Sequence, residues 1–353
     1  MSNTVVVADL LLPKGHVDFN KKYLEALSAN ADTRVVPGLL GERRFSYEFF
    51  TPGKLLKPCE GKIAGRIQTK RNAAIASHYW KKVPGSSLVL LSSDPLMLLF
   101  SPHLRGNVLM VHHKSVDELC MSSIKRACFS LYKNRIHHAV GEPFIGRCLI
   151  DKLGVTPDRV HVCPHPIVEA AYLDDKSCSL ATHDYDAVGL CGSNDSEFVR
   201  AIASFEERTS FFAKNNCRVY LKGDLFFNDG YLRISSERLD EAEYASMLRY
   251  AKISLSPVGL SFQNRVSGAL LDGLSYRCVV VATPFKMAKC YSSYYSDLVY
   301  CEDDVERFCR RILNLLSERN LIVSREVSFA ELFSAHSIEY IADTLSDALE
   351  AME

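Results

Sequence analysis

Short runs of apolar residues recur along the chain, separated by longer stretches in which apolar side chains return every third or fourth position. The runs Thr4–Ala8, Arg34–Val36, Leu88–Ser92, Val108–His112, His138–Gly141 and Val160–Pro164 read as strands. The amphipathic stretches Val17–Ala29, Gly61–Lys82, Leu119–Lys133 and Gly146–Lys152 read as helices. Apolar strands alternating with helices predict a parallel α/β sheet. Right-handed crossovers then gather the carboxyl ends of the strands, and the loops that leave them, along one edge.

The pattern restarts later in the chain. Asp186–Cys191, Cys217–Leu221, Tyr231–Ile234, Ile253–Ser256 and Cys278–Ala282 read as strands, with helices over Ser196–Lys214, Asp240–Tyr250 and Gln263–Tyr276. Ser324–Phe333 and Ser337–Met352 read as closing helices, and the Tyr-rich segment Tyr291–Tyr300 as packing and loop. Between the two series lies a segment with Pro164, Pro166 and a polar tail, which suits a linker. The expected division is a first Rossmann-like domain over residues 1–165, a linker over 166–184 and a second Rossmann-like domain over 185–335. Residues 336–353 are expected as a C-terminal helix packing back on the first domain. A length of 353 residues exceeds one core of ordinary size.

Composition narrows the class. The chain is 47% hydrophobic and 24% charged, as soluble globular proteins are. No apolar run reaches the roughly 18 residues of a membrane span. The N-terminal stretch lacks a basic region and a small-residue cleavage site, so a cytoplasmic protein is expected. Twelve cysteines are scattered without a C-x-x-C pair, which predicts reduced core thiols and no metal site. Net charge is zero, but the first 170 residues hold 23 Lys and Arg against 14 Asp and Glu, and the remainder 19 against 28. The basic residues Lys54, Lys57, Lys62, Arg66, Lys70, Arg71, Lys81 and Lys82 suit either an anionic lipid or acceptor surface, or a solvated helix face. No nucleic-acid-binding motif accompanies them.

The strand–loop–helix–strand unit over residues 251–284 carries the most specific chemistry. Its polar run Ser261, Gln263, Asn264, Arg265 and Ser267 falls where a helix start would meet the carboxyl edge of a parallel sheet, a place that favours diphosphates. Lys222 closes the strand run CRVYLKGD and offers a further cation. His112 and His113 follow NVLMV at the edge of the first sheet, and Gly15-His16 follows the first strand. Asp94-Pro95 and Glu142-Pro143 also sit at strand ends, where the acids suit either a general base or a turn. His161 and His165 do not share a helix face, and no metal is assigned to them.

Two α/β halves with these segments resemble the GT-B glycosyltransferases, and among them the retaining nucleotide-sugar enzymes of glycosyltransferase family 4. The resemblance rests on GVTPDRVHVCPHPIV, DAVGLCGS, RISSERLDEAEYASMLRYAKISLSPV and GALLDGLSYRCVVVATP. It implies two Rossmann-like parallel-sheet domains facing across a cleft. It further implies donor binding by Gly192, Lys222, Asn264, Arg265, Ser267 and Asp272, acceptor binding by Gly15, His16 and His113, and a catalytic role for His112, while Asp94 and Glu142 are catalytic candidates from their strand-end positions. Where the family carries two glutamates eight residues apart, this chain has Asn264 and Asp272, and the family's arginine after DAVGLCGS is absent. The implied activity moves a sugar from a nucleotide-sugar to a glycan or lipid-linked glycan, in cell-surface polysaccharide biosynthesis. It needs no cofactor or metal and is peripheral at the inner face of the membrane. The alternatives on the same fold are a nucleotide-sugar epimerase and a non-catalytic glycan- or partner-binding protein.

Overall fold

Val5, Val6, Val7 and Ala8 are all fully buried, because β1 (Asn3–Asp9) lies inside a parallel sheet with apolar partners on both faces. It pairs with β2 (Thr33–Leu39) on one side and β3 (Ser87–Ser92) on the other. The computed structural model describes residues 3–10, 17–29, 33–39, 62–99, 104–170 and 185–352. Gly15, His16, Lys54, Lys57, Cys59 and Cys178 lie outside them, as does 171–184 of the expected linker.

The chain divides into two units. The first comprises Met1–Pro166, Asn264–Val266 and His336–Glu353; the second comprises Ile167–Gln263 and Ser267–Ala335. In the first unit, β4 (Val108–His112), β5 (His137–Val140) and β6 (Val160–Val162) complete a six-stranded parallel sheet in the order β2-β1-β3-β4-β5-β6. Helices α1 (Val17–Ala29), α2 (Lys62–Lys81), α3 (Pro95–Leu99), α4 (Ser115–Met121), α5 (Ser123–Ser130) and α6 (Pro143–Asp151) connect these strands.

In the second unit, β7 (Ala187–Gly189), β8 (Val219–Lys222), β9 (Phe227–Asn228), β10 (Leu232–Ser235), β11 (Ile253–Ser256), β12 (Val279–Ala282) and β13 (Val299–Cys301) form one sheet. Its order is β13-β12-β11-β7-β8-β10-β9, parallel except for the β9–β10 hairpin. The helices are α7 (Ser196–Thr209), α8 (Phe211–Lys214), α9 (Glu241–Tyr250), α10 (Gly268–Ser275), α11 (Lys286–Tyr294), α12 (Val305–Ser317) and α13 (Glu326–Ala335). The last helix, α14 (Ile338–Glu350), belongs to the first unit. There Ile341, Leu345 and Leu349 join Tyr23 and Leu27 of α1 and Val5 and Val7 of β1 in one buried cluster.

The expected strands are all present, but three helices differ. Leu119–Lys133 is two helices, broken at Ser122, whose extended backbone lets its hydroxyl cap α5 by accepting from Lys125 N. Ser196–Lys214 breaks at Ser210, which takes a left-handed conformation (φ 49°). The helix expected from Gln263 begins only at Gly268, with Ser267 as its cap. Tyr291–Tyr300 packs through buried Tyr291 and turns over 295–298, while its ends fall in α11 and β13.

The ten described cysteines are reduced thiols. Burial holds Cys163 and Cys278 up at about 12, so neither is a nucleophile at neutral pH. Among the described residues no helix is long and apolar enough to cross a membrane. No cluster of three metal-ligating side chains occurs among them either.

Candidate functional site

In the second unit the site is built at the ends of β7, β8 and β11 and at the start of α10. Asn194, in the turn after β7, donates through Nδ2 to the carbonyls of Gly189 (3.2 Å) and Lys222 (2.9 Å). It thereby fastens the ends of β7 and β8 together. Both partners are acceptors, so the amide orientation is fixed, and its buried Oδ1 has no partner. Ser256, which ends β11, likewise has a buried Oγ without one. Lys222 ends β8 half-buried, and among the described residues no carboxylate pairs with its ammonium.

The two helix starts at this edge differ in electrostatics. At α7 the N-cap is Asp195, whose carboxylate accepts from Glu197 N and Phe198 N (3.0 Å each), and Glu197 adds a second acid in the first turn. That start already holds negative charge. At α10 the cap is the neutral hydroxyl of Ser267, with no acid in the first turn. Gly268 follows, and a Cβ there would meet nothing within 4 Å; the same openness surrounds Gly192. The start of α10 is therefore the one whose dipole and amides suit an anion. Asp272, one turn further, accepts from Tyr244 Oη of α9 at 2.9 Å. Burial, then the Asp272 charge, raises the Tyr244 phenol well above its ordinary value, so it remains a donor.

Asn264 and Arg265 require a correction. They are not on α10, and they belong to the first unit. Buried Asp117 of α4 holds both: Oδ1 accepts from Asn264 N (2.7 Å) and Nδ2 (3.2 Å), and Oδ2 lies 3.1 Å from Arg265 Nε. Arg265 therefore has a counter-ion within the protein.

At the edge of the first sheet, His112 is 1% exposed and both its ring nitrogens are occupied. His138 Nε2 faces the Lys133 carbonyl at 2.7 Å, an acceptor only, so Nε2 carries the His138 proton. His138 Nδ1 then accepts from His112 Nε2 (2.9 Å), and His112 Nδ1 accepts from the Ser115 hydroxyl (2.7 Å). Burial lowers both imidazoles, His138 to about 4, which keeps the chain neutral. His112 has no ring nitrogen left for a substrate, so the substrate contact expected of it is replaced by orientation of Ser115.

His113 Nε2 donates to Leu91 O (2.8 Å), and Phe19 meets its ring edge-on. Asp94 accepts from Leu96 N at 2.8 Å, the turn-forming arrangement. Glu142 is buried at the N-cap of α6 without capping it. Asp9, not singled out from the sequence, is buried at the end of β1, where Asn20 (2.7 Å) and Ser92 donate to it. Its position after an apolar strand was the available signal. Asn194, in the Gly-Ser-Asn turn, carried the same signal. Asp117 carried none, because its partner lies 147 residues away.

Two parallel sheets, each flanked by helices, make this a protein of the GT-B glycosyltransferase fold. Solved structures agree over nearly the whole chain. An alpha,alpha-trehalose-phosphate synthase (UDP-forming) from Burkholderia vietnamiensis matches with a TM-score of 0.62 at 12% identity, covering 99% of each chain. A glycosyltransferase from Rickettsia africae matches at 0.62 and 9% identity, over 99% of this chain and 98% of that one. A trehalose-6-phosphate protein from E. coli, bound with UDP-2-fluoro glucose, matches at 0.61 and 13% identity over 99% of each. At such identities the likeness is one of fold. No protein-family model matches the sequence, and no curated protein matches it.

Proposed function

We propose that the chain is a glycosyltransferase that binds the diphosphate of a nucleotide-sugar at the carboxyl edge of its second sheet. The observation that carries this reading is the Lys222 ammonium, with which no carboxylate among the described residues pairs, together with the buried Ser256 Oγ, a hydroxyl free to donate. Glycosyl transfer builds negative charge on the departing nucleoside diphosphate, and a fixed cation with helix amides lowers that barrier. Lys222 and the start of α10 at Ser267 and Gly268 take this role. Gly192 gives the ligand close approach to the backbone, and Asp272 meets the ribose hydroxyls. The acceptor, a glycan or lipid-linked glycan, falls to the first unit, whose helix α2 exposes Arg66, Lys70, Arg71 and Lys81. The E. coli structure with UDP-2-fluoro glucose supports a uridine nucleotide as the first donor to try.

A non-catalytic binding protein is the second reading, favoured by one observation: Asn264, at the family's first acidic position, is held by Asp117. Thermal unfolding against UDP, GDP, CMP, ADP and dTDP tests the first. One nucleotide at about a hundredfold its dissociation constant should stabilise the protein by about 2.7 kcal/mol, and Lys222→Ala should abolish that gain. No stabilisation by any of the five would sink the nucleotide-sugar reading and leave the second.

A further inference from the structure

The face of the second sheet that packs on α9 carries a cavity of about 410 Å³. Small-ligand sites occupy roughly 300–1,000 Å³. Its lining includes Tyr185, Tyr220, Arg233, Glu237, Arg238 and Glu243. Val219, Leu221, Leu232 and Ile234 serve the core on the opposite face of β8 and β10. On the α9 face, Tyr220 and Arg233 stand beside each other in register.

The pair is poorly satisfied by the protein. Tyr220 is 2% exposed, yet among the described residues its hydroxyl meets no partner in full hydrogen-bond geometry. The Ser235 hydroxyl is its nearest polar neighbour and also accepts from Glu237 N. Burial raises the Tyr220 phenol, so it stays a neutral donor. Arg233 reaches Glu237 at 3.3 Å through its terminal nitrogen, while its buried Nε has no acceptor. Its guanidinium lies 6.0 Å from the centre of the Tyr220 ring, and the Tyr185 ring is 5.5 Å from the same ring. Buried donors without acceptors are rare unless something else binds them.

The charges decide what that is. Arg233 and Arg238 are balanced by Glu237 and Glu243, so an anion would meet two carboxylates as well as two guanidiniums. A neutral ligand with many hydroxyls can use all four as donors and acceptors, and its apolar ring face can lie on the tyrosines. We infer that this cavity is a binding site for a neutral saccharide, separate from the nucleotide edge and independent of the reading given there. A site of this kind would hold a glycan segment on the second unit.

Tyr220→Phe is the discriminating variant, because it removes only the hydroxyl. Saturation-transfer NMR on the full chain, with glucose, galactose, mannose, maltose and cellobiose as probes and inorganic phosphate as control, reads the site directly. At least one saccharide should bind. Tyr220→Phe should then weaken it roughly five- to tenfold, the worth of one hydrogen bond, with thermal stability unchanged or raised. Arg238→Ala should weaken it also. Any of four results overturns the inference: no saccharide bound at 10 mM (about that limit sets a Kd too weak to matter), phosphate bound in preference, affinity indifferent to both variants, or displacement by UDP. The last would assign the cavity to nucleotide recognition.

Discussion

At the carboxyl edge of the first sheet the charged and titratable groups are engaged with one another. Asn20 and Ser92 hold Asp9, Ser115 and His138 hold His112, and Asn264 and Arg265 hold Asp117. At the edge of the second sheet Lys222 has no carboxylate partner among the described residues. Single buried polar atoms without partners occur in both units, Asn20 Oδ1 and Asn72 Oδ1 in the first and Asn194 Oδ1 and Ser256 Oγ in the second, so the difference lies in the charges. The two units also differ in what they titrate. All described histidines belong to the first unit, and none lies between residues 185 and 335. An edge whose charges are already paired contributes to its own stability. An edge that keeps a cation without a counter-ion contributes less to stability and leaves that charge for a ligand.

The largest effect should come from breaking the paired edge. Asp117→Ala removes the carboxylate that Asn264 and Arg265 share, and severing one partner of a buried pair costs about 4 kcal/mol. Urea unfolding checks this, with Asp117→Asn expected to recover part of the loss by still accepting from Asn264 N. A cost under about 1 kcal/mol would mean the pairing is not what holds this segment.

Acid should act next, and selectively. The His112 and His138 imidazoles are held below their ordinary value, His138 from 6.5 to about 4. As pH falls from about 6.5 towards 4, the unfolded chain takes up protons that the folded chain refuses. Stability is therefore full above pH 6.5, lost through that window, and constant in this respect below it. For His138 alone the loss is about 3 kcal/mol. The single tryptophan, Trp80 of α2, lies in the first unit and donates to Ser86 O, so its fluorescence reports that unit. Denaturation followed at Trp80 should weaken between pH 6.5 and 5, and His138→Asn should flatten the slope. An unchanged slope in the variant would remove the imidazole chain from the explanation.

The architecture was largely legible because parallel strands buried on both faces leave runs such as Val5–Ala8 that nothing else explains. Boundaries failed where a single residue decides them. Ser210 takes a left-handed backbone that sequence assigns to glycine. Ser267, not Gln263, caps α10, since the polar residues before it go to another partner. The edge residues were legible by one rule, that the residue ending an apolar strand stands at the carboxyl edge of its sheet, which placed Lys222 and His112 there. The rule gives position but not partners. It could not tell that His112 spends both nitrogens on neighbours, or that Arg265 meets an acid far away in the chain.

The smallest effect on folding should belong to the residue with the largest proposed effect on binding. Lys222→Ala removes a half-buried side chain with no carboxylate partner among the described residues, so urea unfolding without ligand should shift by no more than about 0.5 kcal/mol. Lys222→Arg should be equally silent there. If Lys222→Ala instead lost 2 kcal/mol or so, the lysine would be part of the fold's own pairing, and the difference between the two edges would collapse. Silence in folding is what separates a cation kept for a ligand from one kept for the protein.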